Sequence, residues 1–306
     1  MYKKIIMLAL LGCVMTAQAA PEEGMALRQD DELASMVLSR AATPKLYSSI
    51  ALIYDERSGR SLYSKNQDSV APIASISKLM TAMVVLDAQL PMDEEVRIST
   101  LDMDTLKNTH SRLRPGMTLT RGELLKLALM ASENRAAAAL ARTYPGGTEA
   151  AVARMNDKAR ELGMRDTRFL DPTGLNSGNV STAQDLVRMV MAAQGYAPIR
   201  NATTSSSHVV EPAGYRPLTY RNTNPLVKSA SWDIGVSKTG YISEAGRCLV
   251  MKANINQRPV VIVLLDSWGK STRIGDANRI KQWMEGAPVT RTHAIRRASH
   301  SRKSRT

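Results

Sequence analysis

The sequence predicts an α/β (α+β) protein: an antiparallel sheet flanked by helices, with a helical subdomain inserted between its first and last strands. Three observations lead there. A strand-turn-strand pattern opens the domain, five helical patterns follow it, and strand patterns return before a closing helix. Strands at both ends of such an order share one sheet only if the first hairpin pairs with the late strands across the helical insert.

In "SSIALIYDERSGRSLYSKN", Ile50, Leu52 and Tyr54 alternate and Arg57-Ser58-Gly59 marks a turn, which gives the hairpin. In "SISKLMTAMVVL", Ile76, Leu79, Met80, Met83 and Val84 recur at i, i+3, i+4, i+7 and i+8, the apolar stripe of a helix near residues 75–88. A polar, turn-rich stretch leads to Pro115-Gly116. "TRGELLKLALMAS" is the second helix, and "NRAAAALARTY", stopped by Pro145-Gly146-Gly147, is the third. "TEAAVARMNDKARELG" ends at Gly163, and "STAQDLVRMVMAAQ" starts on a serine cap. "SSHVVEPAGYRPLTYRN" then reads as a second hairpin. "DIGVSKTGYI", "RCLVMKANI" and "PVVIVLLDS" are strands separated by turn-length gaps, and "RIGDANRIKQWMEG" is the closing helix.

At 306 residues with 43% hydrophobic content, the chain can bury a substantial core. Lys3 and Lys4, the apolar run from Ile5 to Met15 and Ala17-Gln18-Ala19 follow the order of a secretory signal peptide, and the run is too short to span a bilayer. The predicted organisation is therefore a cleaved signal peptide over 1–19, an N-terminal extension over 20–45, a catalytic domain over 46–286 and a basic, disordered tail over 287–306. Export to the periplasm follows from it. A competing reading takes Leu10-Leu11-Gly12-Cys13 as a lipoprotein processing site. Cleavage after Ala19 leaves Cys248 alone, in a strand-like run where a small buried filler is the simple reading.

Much of the formal net charge of +13 sits outside the catalytic domain. Arg291, Arg296, Arg297, Arg302, Lys303 and Arg305 make the tail basic, without an acid among them. Such a tail suits a solvated end or loose, peripheral contact with anionic wall polymer or lipid headgroups. A nucleic-acid role would need stacking aromatics or a reading element, and neither is visible. No metal-ligand cluster or phosphate-cradling glycine loop stands out, so no cofactor is expected.

In the stretch "IASISKLM", at about 100° per helical residue, Ser75 and Lys78 are roughly 60° apart and one turn removed, whereas Ser77 points nearly opposite Ser75. Ser75 and Lys78 can touch. A helix start also supplies free backbone N–H groups and a positive dipole end for a developing oxyanion. Read alone, the stretch fits an ordinary N-cap serine and a solvated lysine better than a nucleophile. The S-x-x-K pattern recurs at Ser267 to Lys270, and S-x-N occurs both at Ser132 to Asn134 and at Ser177 to Asn179.

An ordered set changes this: Ser75-x-x-Lys78 at a helix start, Ser132-x-Asn134 between two helices, and Lys238-Thr239-Gly240 on a late strand. It resembles the active-site motifs of the penicillin-binding DD-peptidases and serine β-lactamases. With "PIASISKLMTAMVVLDA", "FLDPTGLNSGNVSTAQDL", "NTNPLV" and "VSKTGYISEAG", the chain from about Leu46 to Gly286 looks like the low-molecular-mass D-alanyl-D-alanine peptidases, and most like their endopeptidase branch. The resemblance implies a β-lactamase/transpeptidase-like fold and a cofactor-free serine mechanism.

The resemblance also implies the roles. Ser75 is the nucleophile and Lys78 its base, neutral through burial and a neighbouring cation, for which Lys238 is the candidate. Ser132 relays a proton to the leaving amine, and Asn134 holds Lys78 and the substrate amide. Lys238-Thr239-Gly240 binds substrate backbone as an added strand, with Gly240 permitting close approach, and the N–H groups of Ser75 and Tyr241 form the oxyanion hole. Arg273 is expected to help bind the substrate's terminal carboxylate, or else to be a helix-start arginine paired with Asp276.

Acyl-enzyme formation at Ser75 fits three outcomes: cutting a D-alanyl-diaminopimelate cross-link of peptidoglycan, trimming a terminal D-alanine, or destroying a β-lactam. With 20 residues after Gly286, no room is expected for the extra β-rich domain and amphipathic anchor of the membrane-bound carboxypeptidases, which favours the endopeptidase. No E-x-x-L-N stretch is present to deacylate the enzyme, so β-lactams are expected to be covalent inhibitors. A catalytically silent wall-binding protein would be marked by a lost motif residue, and all three motifs are intact.

Overall fold

The computed structural model of the protein describes residues 43–286. The predicted signal peptide, nearly all of the N-terminal extension and the basic tail lie outside the described residues. The hairpin β1 (Ile50–Asp55) and β2 (Arg60–Lys65) is followed by the short β3 (Ala71–Pro72) and a 3-10 turn, Ala74–Ser77, that runs into α1 (Lys78–Asp87). Then come β4 (Glu95–Arg97), β5 (Thr118–Thr120), α2 (Arg121–Met130), α3 (Asn134–Arg142) and α4 (Gly147–Glu161). β6 (Val180–Ser181), α5 (Ala183–Gln194) and α6 (Ala197–Thr204) lead to the hairpin β7 (Ser207–Val210) and β8 (Leu218–Arg221). The described residues end in β9 (Asp233–Ile242), β10 (Gly246–Ile255), β11 (Arg258–Ser267) and α7 (Thr272–Glu285).

The main sheet has the order β2-β1-β11-β10-β9, antiparallel throughout. β1 pairs with β11 from Ile50 opposite Leu265 to Asp55 opposite Val260, so the first hairpin does close on the late strands. β11 is apolar without interruption because both of its faces are covered. Val261, Val263 and Leu265 enter the core shared with the helical subdomain, while Val260, Ile262 and Leu264 enter the core under α7, with Ala277, Ile280 and Met284.

The helix expected to bury one stripe is buried all round. Beside Leu79, Met80, Met83 and Val84, the residues Thr81, Ala82 and Val85 are also covered, because α2, α3, α4 and α5 surround α1. Two boundaries also differ from expectation. α5 is capped by Thr182, whose side chain accepts the N–H of Asp185, because Ser181 is committed to pairing with Ala71. The helix at 75–88 starts as a 3-10 turn, and Ala74 just before Ser75 is left-handed at φ 49°.

Candidate active site

Ser75, Lys78, Ser132, Asn134 and Lys238 converge between the 3-10 turn, the α2–α3 loop and the edge strand β9. In a 3-10 turn residues i and i+3 eclipse, which closes the 60° offset of an ideal α-helix. Lys78 Nζ accordingly lies 2.8 Å from Ser75 Oγ. Both side chains are buried, Lys78 to 1% exposure. Ser77 takes the structural part: its hydroxyl donates to Ala74 O and accepts from Asn179 Nδ2, each at 2.9 Å. The second S-x-N match, ending at Asn179, thus braces the turn from behind. The second S-x-x-K match is separated by Gly269, left-handed at φ 85°, and its Ser267 bonds Ser48 instead.

Lys78 Nζ has two further neighbours, Asn134 Oδ1 at 2.7 Å and Thr173 O at 2.5 Å. Each of these oxygens can only accept. A neutral amine has two hydrogens and one lone pair, so these two acceptors take both hydrogens and the lone pair faces the Ser75 hydroxyl. Burial pushes the Lys78 pKa down to about 8, against the pull of the Asp171, Glu133 and Asp104 carboxylates. At pH 7 about a tenth of it is neutral at that value.

Of the two causes expected for Lys78, burial and a neighbouring cation, burial is the one that lowers it. The repulsion falls on Lys238, which burial, Lys78 and Arg273 hold well below its ordinary value. Lys238 Nζ donates to Ser132 Oγ at 2.8 Å and Thr239 O at 2.9 Å, a pair that a neutral amine satisfies. The Ser132 proton is then free for a group in the cleft. Ser132 is left-handed, at φ 60°, in the loop joining α2 to α3.

Asn134 is oriented by residues that sequence motifs did not single out. Asp104 Oδ2 accepts both the N–H and the hydroxyl of Thr109, at 2.8 and 2.7 Å. That uses the only hydroxyl proton, so Thr109 Oγ1 accepts from Asn134 Nδ2 at 2.9 Å and Asn134 Oδ1 must face Lys78. Lys107, on the same loop, pairs with Glu244 in the β9–β10 turn and ties the two walls of the cleft together. Thr109 is thus a positioning residue. Thr109→Val is expected to slow acylation roughly ten- to hundredfold and to shift its pH profile, with Thr109→Ser restoring both. Penicillin acylation measured across pH checks this.

Thr173 was quoted only as part of a family stretch. Its local signal was Asp171-Pro172-Thr173-Gly174: Asp171 accepts the N–H groups of Thr173 and Gly174 at 3.0 and 3.1 Å, an Asx-type turn that aims Thr173 O at Lys78.

β9 forms the opposite wall. A Cβ on Gly240 would lie 2.9 Å from Ile73 O and 3.1 Å from Ser75 N, so glycine lets β9 pass against the backbone of the Ser75 turn. Tyr241, next along, is 56% exposed, with the Arg247 guanidinium 4.5 Å from its ring centre. Thr239 Oγ1 donates to Thr223 Oγ1 at 2.7 Å. Arg273 is buried in the first turn of α7 and does not pair with Asp276, which is taken by Ser48 and Arg279. Its Nε and Nη1 have no hydrogen-bond partner among the described residues. Cys248 is a buried filler, its thiol facing Ala245 O.

A serine hydroxyl beside a buried amine, a second serine-lysine pair and a sheet edge are an arrangement suited to acyl transfer. Comparison with known proteins agrees. The model of the peptidase S11 family, described as D-alanyl-D-alanine carboxypeptidase, matches residues 38–269. The chain belongs to this serine DD-peptidase family. Its relatives within the family include a D-alanyl-D-alanine endopeptidase of Pseudomonas aeruginosa, 43% identical over 95% of this chain and 89% of that protein. A D-alanyl-D-alanine endopeptidase of Escherichia coli K12 is 45% identical over 81% of each chain. Among solved structures, the Streptomyces K15 DD-transpeptidase superposes with a TM-score of 0.75 at 28% identity, covering 80% of this chain and 99% of that one. The β-lactamase/transpeptidase-like fold of the DD-peptidases is therefore the fold of this chain.

Proposed function

We propose that this serine DD-peptidase cuts D-alanyl-diaminopimelate cross-links of peptidoglycan in the periplasm, using the residues assembled above. Ser75 Oγ gives its proton to the lone pair of Lys78 Nζ and attacks the D-alanyl carbonyl carbon. The N–H groups of Ser75 and Tyr241 receive the oxyanion. As the C–N bond breaks, the departing amine takes a proton from Ser132, which is replaced by the one that Lys78 took from Ser75, while Lys238 Nζ holds the Ser132 oxygen in place. Water then attacks the ester carbonyl, giving a proton to the neutral Lys78, which returns it to Ser75 Oγ as the C–O bond breaks. Asn134 keeps one Nδ2 hydrogen for the substrate amide, and β9 offers an edge to its backbone. Arg273, with partnerless guanidinium nitrogens beside Lys238, is assigned to attract the substrate's terminal carboxylate.

The observation that carries the chemistry is the placement of two obligate acceptors on Lys78, which leaves its lone pair for Ser75. The preference for cross-links is supported by the relatives named endopeptidases along most of their length. Carboxypeptidase activity is the second reading, favoured by the family description and by relatives so named, such as that of Bacillus subtilis at 33% identity. Labelled penicillin is expected to attach to the wild type and not to Ser75→Ala; labelling that survives the substitution removes Ser75 as nucleophile. Purified enzyme given muropeptide dimers and uncross-linked pentapeptides separates the two readings, since loss of D-alanine from the pentapeptide alone would leave a carboxypeptidase. The signal-peptide pattern supports the periplasmic location, and the basic tail supports peripheral contact with anionic polymer.

A further inference from the structure

A cavity of about 660 Å³ begins beside Ser132 and has no part in the steps above. Both chain neighbours of Ser132 belong to its lining, and its far side is formed by β8. Its ionisable lining residues are His110, Arg112, Glu133, Tyr220 and Arg221. We infer that this cavity receives the departing strand of a cross-link, with Arg112 and Arg221 binding carboxylates that lie beyond the scissile amine. This rests on the endopeptidase reading and names the part of the substrate that distinguishes it.

Position comes first. Ser132 hands its proton to the departing amine, so that amine lies within hydrogen-bond reach of Ser132 and whatever it carries continues past the loop. The cavity lined by Ala131 and Glu133, on either side of Ser132, lies there. β8 connects the same places: Arg221 lines the cavity, and two residues further on Thr223 bonds Thr239 in the cleft. A strand whose reacting centre sits at Thr239 can reach the arginines along β8.

Charge comes second. The Arg112 guanidinium lies 4.0 Å from the centre of the Tyr220 ring and donates through Nη1 to Thr219 O at 2.8 Å, which fixes its plane and leaves further donors for a ligand. Arg221 is exposed at the end of β8. The one acid in the lining already has partners: Glu133 Oε1 accepts from Ser111 Oγ at 2.7 Å and Arg135 N at 3.1 Å. With two arginines and one glutamate, the lining carries a formal excess of positive charge. A departing D-alanine is one small residue with one carboxylate, which the cleft itself accommodates. A departing cross-linked strand carries a carboxylate on its D-centre and others on the stem residues beyond it, and these call for two guanidinium groups outside the cleft.

The test is the double variant Arg112→Ala/Arg221→Ala, measured on muropeptide dimers, on pentapeptide and on penicillin. Cleavage of the dimer is expected to lose roughly tenfold or more in kcat/KM, mainly through KM, while penicillin acylation and pentapeptide trimming stay within about twofold. An unchanged dimer rate, or an equal loss on all three substrates, overturns the assignment. Calorimetric titration of Ser75→Ala with the disaccharide tetrapeptide, the departing product, separates this inference from the reading beneath it. Binding that disappears when the two arginines are also replaced supports the cavity even if the wild type cuts no dimer, in which case only the endopeptidase reading falls. Absent binding, or binding indifferent to the arginines, removes the cavity's role.

Discussion

Replacing Lys78 with methionine is expected to slow acylation of Ser75 by penicillin about 10²- to 10⁴-fold, the range for losing a positioned general base. Methionine fills the buried space but offers no lone pair at 2.8 Å from Ser75 Oγ. The wild type carries its own control. With the Lys78 pKa lowered to about 8, the acylation rate is expected to rise with pH up to that value and then level off, following the neutral fraction. In Lys78→Met this rise is expected to vanish. Stopped-flow acylation between pH 6 and 9.5 measures both effects, and a methionine variant that acylates at the wild-type rate would falsify Lys78 as the base.

Asp276→Ala is expected to cost about 3 kcal/mol of stability, seen as a fall in Tm of about 6–12 °C. Asp276 is fully buried on α7 and accepts from Tyr47 N, Ser48 N and Ser48 Oγ at 3.0, 2.7 and 2.6 Å, as well as from Arg279. It fastens the chain entering β1 to the far side of the sheet. Alanine would strand these buried donors. Burial raises the Asp276 carboxyl pKa, but the Ser48, Arg279 and Tyr47 donors outweigh it and hold the value below the ordinary one. A depressed carboxylate contributes stability that is present above the unfolded value near 4 and lost as pH falls through the folded value. Thermal melts from pH 7 to pH 3 should therefore show wild type and variant converging at the acid end. A constant gap would mean that the carboxylate charge is not what stabilises.

Much of this was legible in the chain. The sheet's discontinuous origin followed from the order of strand and helix patterns, and the periodicity of the long strands set their extents closely. What escaped were elements with little local signal. β3 and β6 have two residues each, and α6 begins at Ala197-Pro198 and runs into Asn201, Ala202, Thr203 and Thr204, where no apolar period stands out. The Ser181 cap failed for a tertiary reason: its pairing with Ala71 moved the cap to Thr182.

The motif residues were legible through the order of three short patterns and the resemblance that order carries, since S-x-x-K and S-x-N each recur elsewhere in the chain. The residues that orient them were not. Thr109 and Asp104 sit in a turn-rich loop like many others, and their effect exists only because Asn134 folds against them. Arg273 had two open readings, and burial with Asp276 already occupied removed one of them.

The sequence by itself determined that Ser75, not Ser77, faces Lys78, because residues three apart on one turn meet wherever the turn is placed. Only the tertiary structure decided where Lys78 keeps its protons. That depends on burial and on Asn134 and Thr173, 56 and 95 positions away, whose oxygens take its hydrogens and leave its lone pair to the serine. Protonation is a competition among neighbours brought together by packing, and no local pattern encodes it.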